Sequence, residues 1–158
     1  MIFITLGSQK FQFNRLLKAV DQQVADGKIT TPIFAQIGAS DYIPVNYPFK
    51  NYVDRDEYSK RMEQADIIIT HGGTGAIISA LKKGKKVIAV PRLNEYGEHV
   101  DNHQIQLINE FTEMNLIHGC MDCDDLWKAI DEVMDREFRS YKSNTNRIIE
   151  SIDKFIGE

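Results

Sequence analysis

Three observations predict an α/β protein built on a doubly wound, Rossmann-like parallel sheet. Short apolar runs alternate along the chain with longer stretches of helical spacing, the pattern of repeated strand–helix units. The runs are continuously apolar rather than alternating with polar residues, as strands covered on both faces are. One run, Ile67-Ile68-Ile69, passes through Thr70-His71-Gly72-Gly73-Thr74-Gly75 straight into a helical pattern with Ile77, Ala80 and Leu81 on one face. A strand, a glycine turn and a helix start in that order leave backbone N–H groups free at the positive end of a helix dipole. In an open parallel sheet that is an anion site, usually for a phosphate.

The other elements follow in order. Residues 2–6 form a first strand that ends at Gly7-Ser8-Gln9. Phe13, Leu16, Leu17, Val20 and Val24 mark an amphipathic helix ending near Gly27. Residues 32–38 read as a second strand and 49–53 as a short third. Asp54 and Glu57 then stand at capping-box spacing for a helix through Gln64. After the central unit comes a strand at 86–90, ended by Pro91. Val100, Leu107, Phe111 and Met114 predict a further helix, and residues 116–118 a last short strand. Leu126, Trp127, Ile130, Val133 and Met134 begin the helical remainder, which runs on through Tyr141, Ile148, Ile149, Ile152, Phe155 and Ile156. That terminal stripe reads first as core packing and second as a docking surface. No repeat or linker divides the chain, so residues 1–158 are expected to be one domain.

Composition narrows the function. A net charge of −4 and the lack of any Lys/Arg cluster argue against nucleic acid as a partner. No apolar stretch reaches the ~20 residues that span a bilayer. The start of the chain reads as a strand rather than a signal peptide. Two cysteines fit a reducing compartment, so the expected location is cytoplasmic.

The turn at 72–75 begins like a dinucleotide fingerprint, but Ile78 stands where the third glycine belongs. No acidic residue closes the second strand to hold a ribose, which disfavours a nicotinamide or flavin enzyme. A turn needed only for packing is the competing reading. It is opposed by His71 and by the polar cluster Glu98-His99-Val100-Asp101-Asn102-His103-Gln104, dense in groups that hydrogen-bond hydroxyls. Asp54-Arg55-Asp56 and Asp122-Cys123-Asp124 have a spacing some sugar transferases use for a divalent metal. Both sit at predicted helix starts, where aspartate serves as a cap, and no metal site is assigned. His99 and His103, four apart, suit hydrogen bonding better than a metal pair, since no HExxH motif joins them. Cys120 and Cys123 form a CxxC with His118 nearby, yet no second pair completes a zinc site, and for a redox pair the motif sits late in the chain rather than after an early strand.

On these residues the chain resembles the C-terminal domain of family 28 glycosyltransferases over essentially its whole length. It is most similar to the small, free-standing versions that form one half of a two-subunit enzyme, in dolichol-linked N-acetylglucosamine transfer and in bacterial capsule and exopolysaccharide synthesis. The resemblance rests on residues 70–75 and 98–104, with Gly7, Ser8 and Gln9 matching the family's first nucleotide-side loop. It implies half of a GT-B fold and a UDP-sugar donor whose diphosphate lies on Gly72, Gly73, Thr74 and Gly75 beside His71. His71 and Thr74 would stabilise the leaving group. It places the uracil against Tyr52, Val53 and Asp54, and the sugar hydroxyls on Glu98, His99, Asn102 and Gln104. At Ser79 the chain departs from its relatives, which usually carry there a glutamate that chelates the ribose diol.

The resemblance further implies metal-independent, inverting transfer with no cofactor, and a general base supplied from elsewhere. A membrane-anchored partner subunit presenting a lipid-linked acceptor is therefore expected. A nucleotide-sugar-binding module without catalysis, and a UDP-sugar hydrolase or epimerase, are the alternatives.

Overall fold

The computed structural model describes residues 1–7 and 10–141. Ser8, Gln9 and the terminal stripe Ile148, Ile149, Ile152, Phe155 and Ile156 lie outside them. Six strands, β1 (Ile2–Thr5), β2 (Ile33–Gln36), β3 (Phe49–Lys50), β4 (Ile67–His71), β5 (Lys86–Val90) and β6 (His118–Gly119), form one sheet in the order β3-β2-β1-β4-β5-β6. Every pairing is parallel. Among the described residues the α-helices are α1 (Asn14–Ala25), α2 (Arg55–Gln64), α3 (Thr74–Lys82), α4 (His103–Glu113) and α5 (Leu126–Asp135).

Strand side chains alternate between two cores because successive residues point to opposite faces. Ile2, Ile4, Ile67, Ile69, Ile88 and Val90 pack with Leu16, Leu17 and Val20 of α1 and Ile130 and Val133 of α5. Phe3, Ile68, Val87 and Ala89 face the other way, onto Met62 of α2, Ile77, Ala80 and Leu81 of α3, and Leu107, Ile108 and Phe111 of α4. Helices therefore cover both faces, which is why the strands read as unbroken apolar runs.

Both Asp-x-Asp pairs begin helical segments. The Asp54 side chain accepts the Glu57 N–H at 2.8 Å, and Asp122 accepts that of Asp124 at 2.9 Å. Several boundaries differ from expectation. The second and third strands are shorter, at Ile33–Gln36 and Phe49–Lys50. The helix from Leu126 does not run on to Tyr141: it ends at Asp135, where Arg136 turns extended (φ −94°, ψ 136°), and residues 136–141 are not helical. Val100 lies before α4 and is exposed, because Asp101 accepts the His103 N–H and sets the helix start there. His99 thus precedes the helix and shares no helix face with His103. The last strand pairs through His118 and Gly119 rather than 116–118, while Leu116 and Ile117 fill the core ahead of it. An added Cβ at Gly119 would stand 2.9 Å from Ile108 and Thr112, so α4 rests directly on that strand.

The order of strands reverses between β1 and β4, and the two turns that leave these strands face each other at the carboxyl edge of the sheet. That is where an open α/β sheet opens a crevice.

Candidate nucleotide-sugar site

The crevice is organised around one imidazole. His71 ends β4 and is 5% exposed. Gly7, in the left-handed region at φ +75°, leaves β1 toward it, and a Cβ built there would lie 2.9 Å from His71 Nε2. A Cβ on Gly73 would lie only 2.1 Å from His71 Cε1. The two glycines are thus required by the histidine between them. Gly72 has the same relation to another side chain, since its Cβ would fall 2.6 Å from Gln104 Cβ. Gly75 differs: an added Cβ there meets nothing within 4 Å, so the protein itself does not require a glycine.

Burial, then the nearby charges of Arg92 and His99, push the His71 imidazole down to about 3, so it is neutral at physiological pH. It serves here as a neutral hydrogen-bonding group. Helix α3 starts at Thr74 with Gly73 as its N-cap, and no side chain among the described residues caps it. The first-turn N–H groups of an α-helix have no partner within the helix. The Thr74 hydroxyl is buried without a hydrogen-bond partner among the described residues. A cluster of donors at a positive helix end, with one buried hydroxyl left unsatisfied, suits an anion.

The loop 91–104 forms the far wall, and it is held by two arginines that the sequence did not single out. Arg92 is 1% exposed; it donates to the carbonyls of Leu6 (2.6 Å), Phe11 (3.0 Å) and Gln12 (3.2 Å) and so shapes the chain after β1. Burial pulls its guanidinium down to about 10, which leaves it charged at neutral pH. Arg15 of α1 grips the Glu98 carboxylate through both oxygens at 3.0 and 3.1 Å and reaches the Pro91 carbonyl. The only hint in the sequence is an arginine directly after the Pro91 that ends a buried strand, and nothing local announces its partners.

The residues matched to sugar recognition divide into two pairs. Glu98 is fully buried, with its carboxylate taken up by Arg15 and the Leu93 N–H. Gln104 is buried as well, bonded to Gly72, Arg92 and His71. Both act inside the protein in this structure. His99 and Asn102 are nearer the surface: His99 packs at a tilt against Phe11 (centroids 5.6 Å apart) beside Asp101, and the exposed Asn102 accepts the Asn94 N–H.

On the β1 side of the crevice, Tyr52 is 54% exposed and Val53 half-buried, its N–H donated to Gln36 Oε1. Ser79 lies on α3 one turn beyond Gly75, half-buried. Burial pushes the Cys120 and Cys123 thiols up to about 11 and about 12, so neither is a reactive thiolate. No helix among the described residues is long and apolar enough to cross a membrane.

Comparison with known proteins agrees with this fold. The glycosyltransferase family 28 C-terminal domain matches residues 1–156. The UDP-N-acetylglucosamine transferase subunit ALG13 of Homo sapiens is 25% identical over 128 residues, covering 75% of this chain and 11% of that protein. The subunit of the same name from Kluyveromyces lactis is 30% identical over 88 residues, 55% of this chain and 43% of its own length. The chain thus spans less than half of these relatives. Among solved structures, the glycotransferase of kitacinnamycin superposes over 98% of this chain and 37% of its own, with TM-score 0.64 at 19% identity. SnogD from Streptomyces nogalater gives TM-score 0.60 at 19% identity, over 99% of this chain and 39% of its own. The fold is therefore that of one half of a GT-B glycosyltransferase.

Proposed function

The chain belongs to the glycosyltransferase family 28 C-terminal domain family, and from that premise we propose that it is the donor-binding subunit of a UDP-sugar-dependent, inverting glycosyltransferase. One observation carries the reading. At the β1/β4 switch point stand the start of α3, a Thr74 hydroxyl buried without a partner among the described residues, and a neutral His71 set between Gly7 and Gly73. That set suits a diphosphate, which is the leaving group of a nucleotide-sugar donor.

The acceptor hydroxyl attacks the anomeric carbon in line as the bond to UDP breaks. Charge growing on the departing diphosphate is met by the N–H groups at 73–75, the α3 dipole, Thr74 and His71, all of them in place before the reaction. Uracil lies against Tyr52 and Val53, with Gly7 on the nucleotide side. His99 and Asn102 are placed to meet sugar hydroxyls. No metal is needed, since both Asp-x-Asp pairs serve as helix caps. The base that takes the acceptor proton comes from a second subunit, because a single doubly wound domain supplies one wall of a cleft. The names of the ALG13 relatives, transferase subunits, support such a partner. We place that partner in the membrane, with a lipid-linked glycan acceptor of polysaccharide biosynthesis.

The test is glycosyl transfer from UDP-sugars to a lipid-linked acceptor, with and without the membrane subunit and with EDTA. Transfer that needs the partner and survives EDTA is expected. Robust turnover by the chain alone, or loss that magnesium or manganese restores, would contradict it. Release of UDP with no acceptor present would favour the hydrolase reading.

A further inference from the structure

Gln104 is the second residue of α4 and buried, and every polar atom it carries is directed by its partners. Its Oε1 accepts two backbone N–H groups, from Gly72 at 3.0 Å and Arg92 at 2.9 Å, tying together the chain beyond β4 and β5. An atom that accepts from two N–H groups is the carbonyl oxygen, so the other end of the amide is the NH2. That NH2 stands 3.3 Å from His71 Nδ1. Having no lone pair to offer, it donates, and Nδ1 accepts. The single proton of the neutral imidazole is therefore on Nε2, the nitrogen that faces Gly7 and the turn after β1.

We infer that Gln104 is a positioning residue that locks His71 in its Nε2–H tautomer, so that the imidazole presents a donor rather than a lone pair to a diphosphate held between the β1 and β4 turns. The inference rests on the donor-binding reading above. The charged or titratable groups facing the ring are Arg92 beyond β5 and His99 in the loop before α4, and both oppose an imidazolium, as burial does. The described turn residue on the β1 side, Gly7, carries no charge. A neutral ring needs its tautomer fixed, because the other tautomer would turn a lone pair toward the phosphate oxygens.

Gln104→Glu separates this role from simple packing. One carboxylate oxygen can keep the Gly72 and Arg92 N–H groups, while the other demands a donor from Nδ1. At pH 8.5 the tautomer should invert and UDP affinity fall by about ten- to a hundredfold, the scale of a hydrogen bond to a charged group. On acidification the new carboxylate favours the imidazolium, which donates from both nitrogens, and affinity should recover. The wild type should show no such recovery on acidification.

Two measurements on the full chain decide it. Long-range 1H–15N spectra read the His71 tautomer directly, and calorimetry with UDP reads affinity against pH. An Nδ1–H signal in the wild type would overturn the inference without need of any variant. So would a folded Gln104→Glu chain that binds UDP as the wild type does at every pH. An Nε2–H signal in a wild type that takes up no UDP would overturn the donor-binding reading and, with it, the diphosphate half of this inference.

Discussion

His71 owes its place to what its neighbours lack. Gly7 and Gly73 each leave out a Cβ that would stand within 3 Å of the ring, which is 5% exposed between them. That burial has a measurable consequence. The unfolded chain takes up a proton on His71 below about pH 6.5, whereas the folded protein resists it down to about 3. Stability contributed by the neutral ring is thus complete above 6.5 and is lost as pH falls through that window. The paired carboxylates Asp21, Asp66 and Asp101, held below their ordinary 3.8, lose their contributions only at more acid pH. Between pH 6 and 4.5 the wild type should therefore lose up to about 1.4 kcal/mol per pH unit more than His71→Asn, measured by urea unfolding. Parallel slopes for the two proteins would mean that His71 titrates normally. The glycine turn and the histidine were legible as motif residues, because a strand–glycine–helix unit is local. Arg15, Arg92 and Glu98 were not legible as a network, because their partners lie about 80 residues apart and no local pattern encodes such contacts.

At the scale of elements, α3 runs from the glycine turn past Ser79. Gly75 and Ser79 are four apart and share one side of the helix, with open space at the first of them. A carboxylate reaching from Ser79 along that side would meet a ribose whose diphosphate sits at the helix start. Ser79→Glu should accordingly tighten UDP by about 1–2 kcal/mol, the worth of hydrogen bonds to a charged group, as calorimetry would read it. No gain would show that another residue already serves the diol. Element boundaries were legible where a strong local rule governs them. The Asp54 cap and the run at 86–90 both stand as the sequence predicts. The start of α4 was misjudged because Val100 fits the helical period, while the stop is imposed by Asp101 folding back on the His103 N–H. The last strand was misjudged because apolar residues attract a strand assignment, whereas the ladder is made by His118 and Gly119.

For the whole molecule, the strand order puts the β1 and β4 turns side by side and leaves one wall of a cleft. The fold class followed from the alternation of elements alone, since continuous apolar runs between helices admit few arrangements other than a doubly wound sheet. The arrangement around the turn was legible only in part: sequence names the residues, while distant contacts such as Arg15 with Glu98 and Gly72 with Gln104 decide which of the polar cluster face inward. The central claim, a diphosphate seated at the start of α3, is best tested where the protein leaves space that a ligand would use. Gly73 is a poor choice, because any side chain there displaces His71 whether or not a ligand binds. Gly75 has room for a side chain in the unliganded protein, so Gly75→Val should melt like the wild type. Calorimetric titration of both proteins with UDP is the direct measurement. Saturable binding by the wild type and none by Gly75→Val is the predicted result; equal affinity in the two would contradict it.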